Sequence, residues 1–509
     1  MTPALYGTWA ALIPPVIAIV LALITKEVYS SLFIGIAVGA LLYAGGNPIV
    51  AVEHFFAILQ EEVSGNLGIV IFLIILGTIV ALMIRAGGSK AYGDWASKSI
   101  KSKSGALIAT GLLGIVLGVD DYFNNLTVGN VMRPVTDTHK ISRAKLAYMC
   151  DAIAAPVCIM MPISSWAAAV SGIIDGYDGF ALFVQAIPYN FYAILTLVMV
   201  FMTAALNIDF GPVKKHEDNA ANGDLYTTPE RPYENAAEMK FNPNGKVIDL
   251  IIPVIILIVF CVIGLVYTGG LFSGEGLTIQ EAFANCDAGA GLSMGSFVAL
   301  LIIMGFFLIR KAFSFNEMME CLPEGFKLMV PATLILTFAW TISGVTGSLG
   351  AADYVAGVVA QFGAGLQNFL PAVIFVIACL LAFATGTSWG TFGILIPIVI
   401  EVFPPVNGLP SSILMMAIGA CLGGAVMGDH CSPISDTTIM ASTGAQCHHI
   451  NHVATQMPYA CTVAAVCFVS YIIAGFLPNV IIALPVAILL MVGTLLFIGK
   501  KNGCLGKKA

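Results

Sequence analysis

Apolar runs of about 20 residues, the length that crosses a bilayer as a helix, recur along the whole chain. They predict spans at 9–25, 29–44, 68–85, 145–172, 183–206, 247–268, 294–310, 327–346, 412–442, 455–475 and 478–498. Two further apolar stretches, 104–135 and 370–403, carry polar residues at their centres. Spans 145–172 and 412–442 are too long for simple crossings: the second would reach about 46 Å, against a hydrocarbon core of about 30 Å. Each holds a proline among small polar residues, Pro162 with Ser164 and Ser165 in one, Pro433 with Gly428, Ser432 and Ser435 in the other. Proline removes a donor and frees a carbonyl, so both helices are expected to unwind there. The polar connection 207–246 reads as a solvated, partly disordered loop. The first run, Trp9 to Ile24, has no basic residues before it and no small-residue cleavage site after it, and reads as a retained span.

Charge placement orients this map. Lys90, Lys98, Lys101 and Lys103 precede the stretch 104–135, and Arg133, Lys140, Arg143 and Lys145 end or follow it. Both clusters are cytoplasmic only if the stretch enters and returns as a re-entrant hairpin, as the preference for positive charge inside requires. The stretch 370–403 has no Lys or Arg near either end and is expected to re-enter from outside. Eleven crossings and two hairpins put the N-terminus outside and the C-terminus in the cytoplasm. All 22 Lys and Arg residues then lie on or near the cytoplasmic side, and loops 45–67, 173–182, 269–293, 347–369 and 404–411 hold none.

The two halves resemble each other at an offset of 263 to 271 residues. Leu76-Gly77-Thr78-Ile79 lies opposite Ala339-Trp340-Thr341-Ile342, the run Asp120 to Gly129 opposite Ala384 to Gly393, and Pro162 to Trp166 opposite Pro433 to Thr437. Five crossings separate span 68–85 from span 327–346, so the repeats are inverted, a pattern of secondary transporters whose site lies between the repeats near the midplane. The predicted organisation is a first repeat at 1–206, the loop 207–246, a second repeat at 247–475, and a C-terminal helix with a basic cytoplasmic tail at 476–509.

Composition agrees with lipid as the solvent. The 509 residues are 58% hydrophobic and 10% charged, where a soluble domain carries about 25% charged residues, and the mean hydropathy is +0.93. A formal charge of −7 says little beside where the charges sit, and no nucleic-acid partner is expected. Most of the 12 cysteines lie in apolar runs and read as small hydrophobes. Cys447, His448, His449 and His452 have the look of a ligand cluster but stand at a span end, where a polar cap is expected rather than zinc.

The candidate chemistry sits where the helices break. Asp120, Asp121, Asp151, Asp429 and Asp436 are carboxylates at membrane depth, joined by His430, and ionisable groups there are functional candidates by default. Asp121, Asp151, Asp429, His430 and Asp436 are the candidates for proton coupling, with Asp151 alternatively a partner for Lys145. Asn124, Asn125, Ser164, Ser165, Thr385, Thr387, Ser388, Ser432, Ser435 and Thr437 add oxygens suited to Na⁺, beside freed carbonyls. Trp166, Trp340 and Trp389 are expected to serve packing.

The segments Thr385-Gly-Thr-Ser-Trp-Gly-Thr391, Asp429-His-Cys-Ser-Pro-Ile-Ser-Asp-Thr-Thr438, Asp120-Asp-Tyr-Phe-Asn-Asn125 and Ile141-Ser-Arg-Ala-Lys-Leu-Ala-Tyr148 resemble signature stretches of the NhaC family of sodium/proton antiporters, within the ion transporter superfamily. The resemblance covers most of the chain. It implies a scaffold region, a moving transport region with two hairpins, a homodimer working by an elevator motion in a bacterial or archaeal cytoplasmic membrane, and no cofactor beyond the moving Na⁺ and H⁺. Relatives in that family also exchange organic acids such as malate and lactate, so the alternative is a sodium-coupled carrier or exchanger of a small organic acid or amino acid. An intramembrane aspartyl protease is disfavoured: Val426-Met-Gly-Asp429 is the closest approach to its Gly-x-Gly-Asp motif.

Overall fold

The computed structural model describes residues 5–502 apart from 26, 28, 119, 163, 173–178, 232–241, 275, 352, 355–356, 358–367 and 403–409. Every regular element among the described residues is helical. The first half holds α1 (Ile13–Thr25), α2 (Tyr29–Tyr43), α3 (Pro48–Gly65), α4 (Leu67–Arg85), α5 (Gly88–Ser99), α6 (Lys103–Val116), α7 (Asp121–Thr138), α8 (Arg143–Cys158), α9 (Ser165–Gly172), α10 (Gly179–Ala186) and α11 (Phe191–Leu206). After α12 (Pro212–Ala221) come α13 (Ile248–Thr268), α14 (Ile279–Ala284), α15 (Ala288–Arg310), α16 (Phe315–Ser348), α17 (Leu370–Thr385), α18 (Ser388–Val402), α19 (Ser412–Cys431), α20 (Asp436–Gly444), α21 (His449–Phe476) and α22 (Val480–Lys501).

Six of these, α4, α13, α15, α19, α21 and α22, are long and apolar enough to cross a membrane, and counting the bent pairs α2–α3 and α10–α11 as single spans makes eight. The protein is therefore a multi-pass membrane protein. Its outer face is apolar, as lipid requires: α22 turns Ile481, Leu489 and Phe497 outward, each at least 68% exposed.

Several of the expected loops contain helices, among them α14 within 269–293. The segment 45–67 carries α3, started by Asn47, whose side chain accepts from the Ile49 and Val50 amides, and by Pro48 in the first turn. Glu53, His54, Glu61 and Glu62 break up its apolar run, which is why hydropathy misses it. The connection 207–246 is not solvated throughout. Its helix α12 buries Val213, His216, Glu217 and Ala220. Glu217 accepts from the Ser142 amide (2.9 Å) and hydroxyl (2.6 Å) at the start of α8 and pairs with Lys103 at the start of α6. Asp209 takes the Lys145 ammonium at 2.9 Å. Burial raises the Asp209 carboxyl, but Lys145 and Lys103 outweigh it and hold the group below the usual carboxylate range. The acids of the connection thus answer basic helix ends that face it. Residues 232–241 of the connection and 503–509 of the C-terminal tail lie outside the described residues.

The helices sort into two packed groups. One contains α1 to α5 and α13 to α16, centred on α4 against α15 and α16. The other contains α6 to α12 and α17 to α22, centred on α17 against α19 and on α7, α8, α11 and α21. They meet where α5 packs on α7, α14 on α9, and α16 on α20.

Candidate functional site

The chain reverses twice inside the second group. Asn124 Nδ2 donates to the Gly114 carbonyl at 2.7 Å. Ten residues along a straight helix would separate these groups by about 15 Å, so α7 folds back on α6. The reversal is stabilised by Asp120, whose Oδ1 accepts from the Phe123 amide at 2.9 Å and caps α7. The second reversal lies between α17 and α18. Here α17 and α19 run side by side, with Gly424 against Phe375, Gly428 against Cys379, and Ser432 Oγ donating to the Phe383 carbonyl at 2.8 Å. Beyond Phe383 the chain turns at Gly386 (φ +69°), which lies against Ile434. Ser388 then returns to the Ala425 carbonyl (3.3 Å) and Asp429 (2.8 Å).

The two long spans break as their prolines predict. Between α19 and α20, Ser435 caps α20 through the Thr438 amide at 3.2 Å. Side chains take the released carbonyls: Gln456 Nε2 donates to His430 O (2.9 Å) and His449 Nε2 lies 2.8 Å from Pro433 O. Between α8 and α9, the Ser164 hydroxyl reaches the Cys158 and Met161 carbonyls at 2.7 and 2.9 Å. Ser165 opens α9, and its side chain lies outside the described residues.

These breaks and reversals converge. Tyr122 donates to Asp436 Oδ2 at 2.6 Å, joining α7 to α20. Asp429 Oδ2 accepts from Ser388 and from Thr437 Oγ1 (3.2 Å), joining α18 to α19 and α20. Trp166 on α9 packs on Trp389 and Phe392 of α18, with centroids 5.5 and 5.2 Å apart. Along α7 and at the end of α19, several buried oxygens make no hydrogen bond within the protein: both of Asp121, one of Asp429, and the amide oxygens of Asn124 and Asn125. Asp121 lies within electrostatic reach of Asp436, with the Trp166 indole beside it. Buried acceptors are normally satisfied, so this set stands out.

A second polar cluster lies deeper, at Asp151. Its Oδ2 accepts from Gln456 (2.6 Å) and Thr438 (3.0 Å) and lies 3.2 Å from His452 Nε2. Asp151 does not pair with Lys145, which is taken by Asp209. His430 Nδ1 faces the Tyr192 hydroxyl at 3.1 Å. Adjacent hydroxyls on α20 therefore serve different carboxylates, Thr437 the junction and Thr438 this cluster.

The junction opens into a cavity of about 410 Å³ at the seam between the two helix groups. From the first group come Glu62, Asn66, Asp287, Trp340 and Ser343; from the second come Tyr122, Thr385, Thr387, Trp389 and Asp436. Among the described residues, no Lys, Arg or His lines it.

The sequence pattern of the Na+/H+ antiporter family matches residues 147–476, which take in the breaks after α8 and α19 and the reversal between α17 and α18. The chain belongs to this family. It is a secondary antiporter, not an enzyme, and Na⁺ and H⁺ are its transported ions. An uncharacterised protein of Haemophilus influenzae is 38% identical over 488 residues, covering 92% of this chain and 91% of its own. A malate-2H(+)/Na(+)-lactate antiporter of Bacillus subtilis is 26% identical over 199 residues, 38% of this chain and 39% of its own. An uncharacterised Na(+)/H(+) antiporter of Haemophilus influenzae is 28% identical over 157 residues, 30% of this chain and 31% of its own.

Most residues singled out in the antiporter's sequence lie at the junction or its rim. Ser388, Asp429, Asp436 and Thr437 meet there with Asp121 nearby, Thr385 and Thr387 line the cavity, and Asn124 turns toward Gly114 of α6. Asp120, Ser164, Ser432 and Ser435 are engaged with helix ends and backbone carbonyls, while Asp151 and His430 form the deeper cluster. Sequence reasoning missed Tyr122, Thr438 and Gln456, and read His452 only as part of a polar cap. Tyr122 and Thr438 stand inside the quoted motifs. His452 and Gln456 meet Asp151 across some three hundred residues, a contact with no local signal. Trp340 and Trp389, expected as packing, both reach the cavity.

Proposed function

We propose that this antiporter is of the NhaC type and exchanges Na⁺ for H⁺ at the junction of Asp121, Asp429 and Asp436. The observation that carries this reading is the set of buried, unpartnered carboxylate and amide oxygens at Asp121, Asn124, Asn125 and Asp429. Na⁺ prefers such oxygens, and an ionised carboxylate in this setting requires either a cation or a proton. Competition between the two for the same carboxylates couples their fluxes. Asn124, Asn125, Thr385, Thr387, Ser388 and Thr437 would complete the cation's shell, and Asp151 with His430 would hold a proton nearby.

The transport motion in this reading is an elevator, the second helix group sliding past the first in a homodimer. Three features support it. The cavity lies on the seam between the groups. Leaving aside the short helices α5 and α10, the order of a long helix, two broken pairs and a further long helix occurs in α4 to α11 and again in α16 to α21, as an inverted repeat would give. The basic residues segregate as eleven crossings with two re-entrant hairpins require, with the N-terminus outside and the C-terminus in the cytoplasm of a bacterium or archaeon. Exchange of an organic acid such as malate is less well supported, because a dianion would find no basic residue along the cavity.

The test is a sodium gradient imposed on proteoliposomes carrying a pH-sensitive dye. An inward Na⁺ gradient is expected to move protons out, with no requirement for malate or lactate. Proton movement that needs an organic acid would replace this reading with the organic-solute one.

A further inference from the structure

Tyr148 closes the Ile141–Tyr148 stretch of the sequence, and the exchange site makes no use of it. It stands one turn before Asp151 on α8, on the same face of the helix, and is buried. Its ring is held from two sides: the Tyr459 ring of α21 lies 4.6 Å away between centroids, and the Lys145 ammonium lies 5.3 Å from its centre. Its hydroxyl makes no hydrogen bond of normal geometry.

Three more buried polar atoms share that condition: Thr196 Oγ1 on α11, His430 Nε2 on α19 and Gln456 Oε1 on α21. All four residues are at most 3% exposed, and all four line one small cavity between α8, α11, α19 and α21. The centre of a water molecule has about 10 Å³ in which to lie there, which is room for one water and nothing larger. Hydroxyls that donate or accept, an amide oxygen that accepts and a ring nitrogen form a set that one water, with two donors and two acceptors, can satisfy.

Gln456 joins this cavity to the deeper cluster. One end of its amide meets two acceptors, Asp151 Oδ2 at 2.6 Å and the His430 carbonyl at 2.9 Å. That end is therefore the nitrogen, and the oxygen is left for the cavity. With the amide turned over, its oxygen would face a carboxylate and a carbonyl, an arrangement that only a protonated Asp151 could relieve.

We propose that the cavity binds one water molecule, held by Tyr148 against Gln456 Oε1, and that this water keeps the Gln456 nitrogen on Asp151. Tyr148 is then a positioning residue for the proton half of the exchange. It acts on Asp151 through the water and Gln456 and touches neither ion. The inference rests on the reading that the Asp151 cluster holds the exchanged proton.

Two measurements on the full-length protein test it. A structure fine enough to show ordered water is expected to place one water within about 3.2 Å of both Gln456 Oε1 and the Tyr148 hydroxyl; a cavity without that water overturns the proposal. The second measurement uses Tyr148→Phe, which keeps the ring between Tyr459 and Lys145 and removes only the hydroxyl. In proteoliposomes this variant is expected to lose about tenfold of the Na⁺-driven proton movement, as removal of an outer hydrogen-bond partner does. Exchange of labelled for unlabelled Na⁺, which has no proton half, should stay within about twofold. An equal fall in both exchanges would mark Tyr148 as structural only, and no fall in either would remove it from the proton half; each result overturns the proposal. Failure of the sodium/proton reading itself has a different mark, wild-type vesicles that move no protons.

Discussion

Asp429→Asn is expected to lower Na⁺-driven proton movement in proteoliposomes by about a hundredfold, the upper end of what removal of an ion-site group does. The substitution preserves shape. Ser388 and Thr437, which donate to Oδ2 at 2.8 and 3.2 Å, can still donate to the amide oxygen of asparagine, so the contact between α18, α19 and α20 survives. What is lost is the charge that binds Na⁺ and the group that exchanges it for a proton. The variant should therefore melt in detergent close to the wild type and lose the added stability that Na⁺ gives. A variant that still exchanges at the wild-type rate would remove Asp429 from the site.

Gly428→Ala is expected to be nearly as damaging for a different reason. A methyl built on Gly428 would stand 2.1 Å from the Cys379 carbonyl oxygen and 2.7 Å from the Phe383 amide nitrogen. Both are backbone atoms, so no rotamer change relieves the overlap, and α17 and α19 must separate. Overpacking of this kind costs roughly 1–3 kcal/mol. The damage is amplified by position, because the next residue is Asp429 and the next turn carries the Ser432 bond to Phe383. Both melting temperature and exchange should fall. Gly393→Ala on α18, where a methyl meets no atom within 4 Å, should change neither by much.

The junction was legible in the sequence because the bilayer penalises polar groups so heavily. Asp120 to Asn125 and Thr385 to Thr391 interrupt apolar stretches, and the chain does reverse beside each. The length of 145–172 and 412–442 likewise exposed their breaks, after Cys158 and after Cys431. The same rule fails for amphipathic helices. In α3, Glu61 and Glu62 lower the mean hydropathy below that of a span, and so the helix that supplies Glu62 to the cavity read as a loop. The rule also gives no pairing. Nothing local in Lys145 points to Asp209 rather than Asp151, and nothing in His452 or Gln456 points to Asp151. Those contacts are made by the packing of α8 against α20 and α21 and by the connection folding back onto α6 and α8.

Competition between Na⁺ and protons for one set of buried carboxylates is the centre of this account, and it can be read without a membrane. Purified protein in weakly buffered detergent, carrying a pH indicator, is given NaCl or an equal amount of choline chloride. Na⁺ is expected to release protons into solution and choline to release none, with the release abolished in Asp429→Asn. Sodium binding without proton release in the wild type would contradict the shared site.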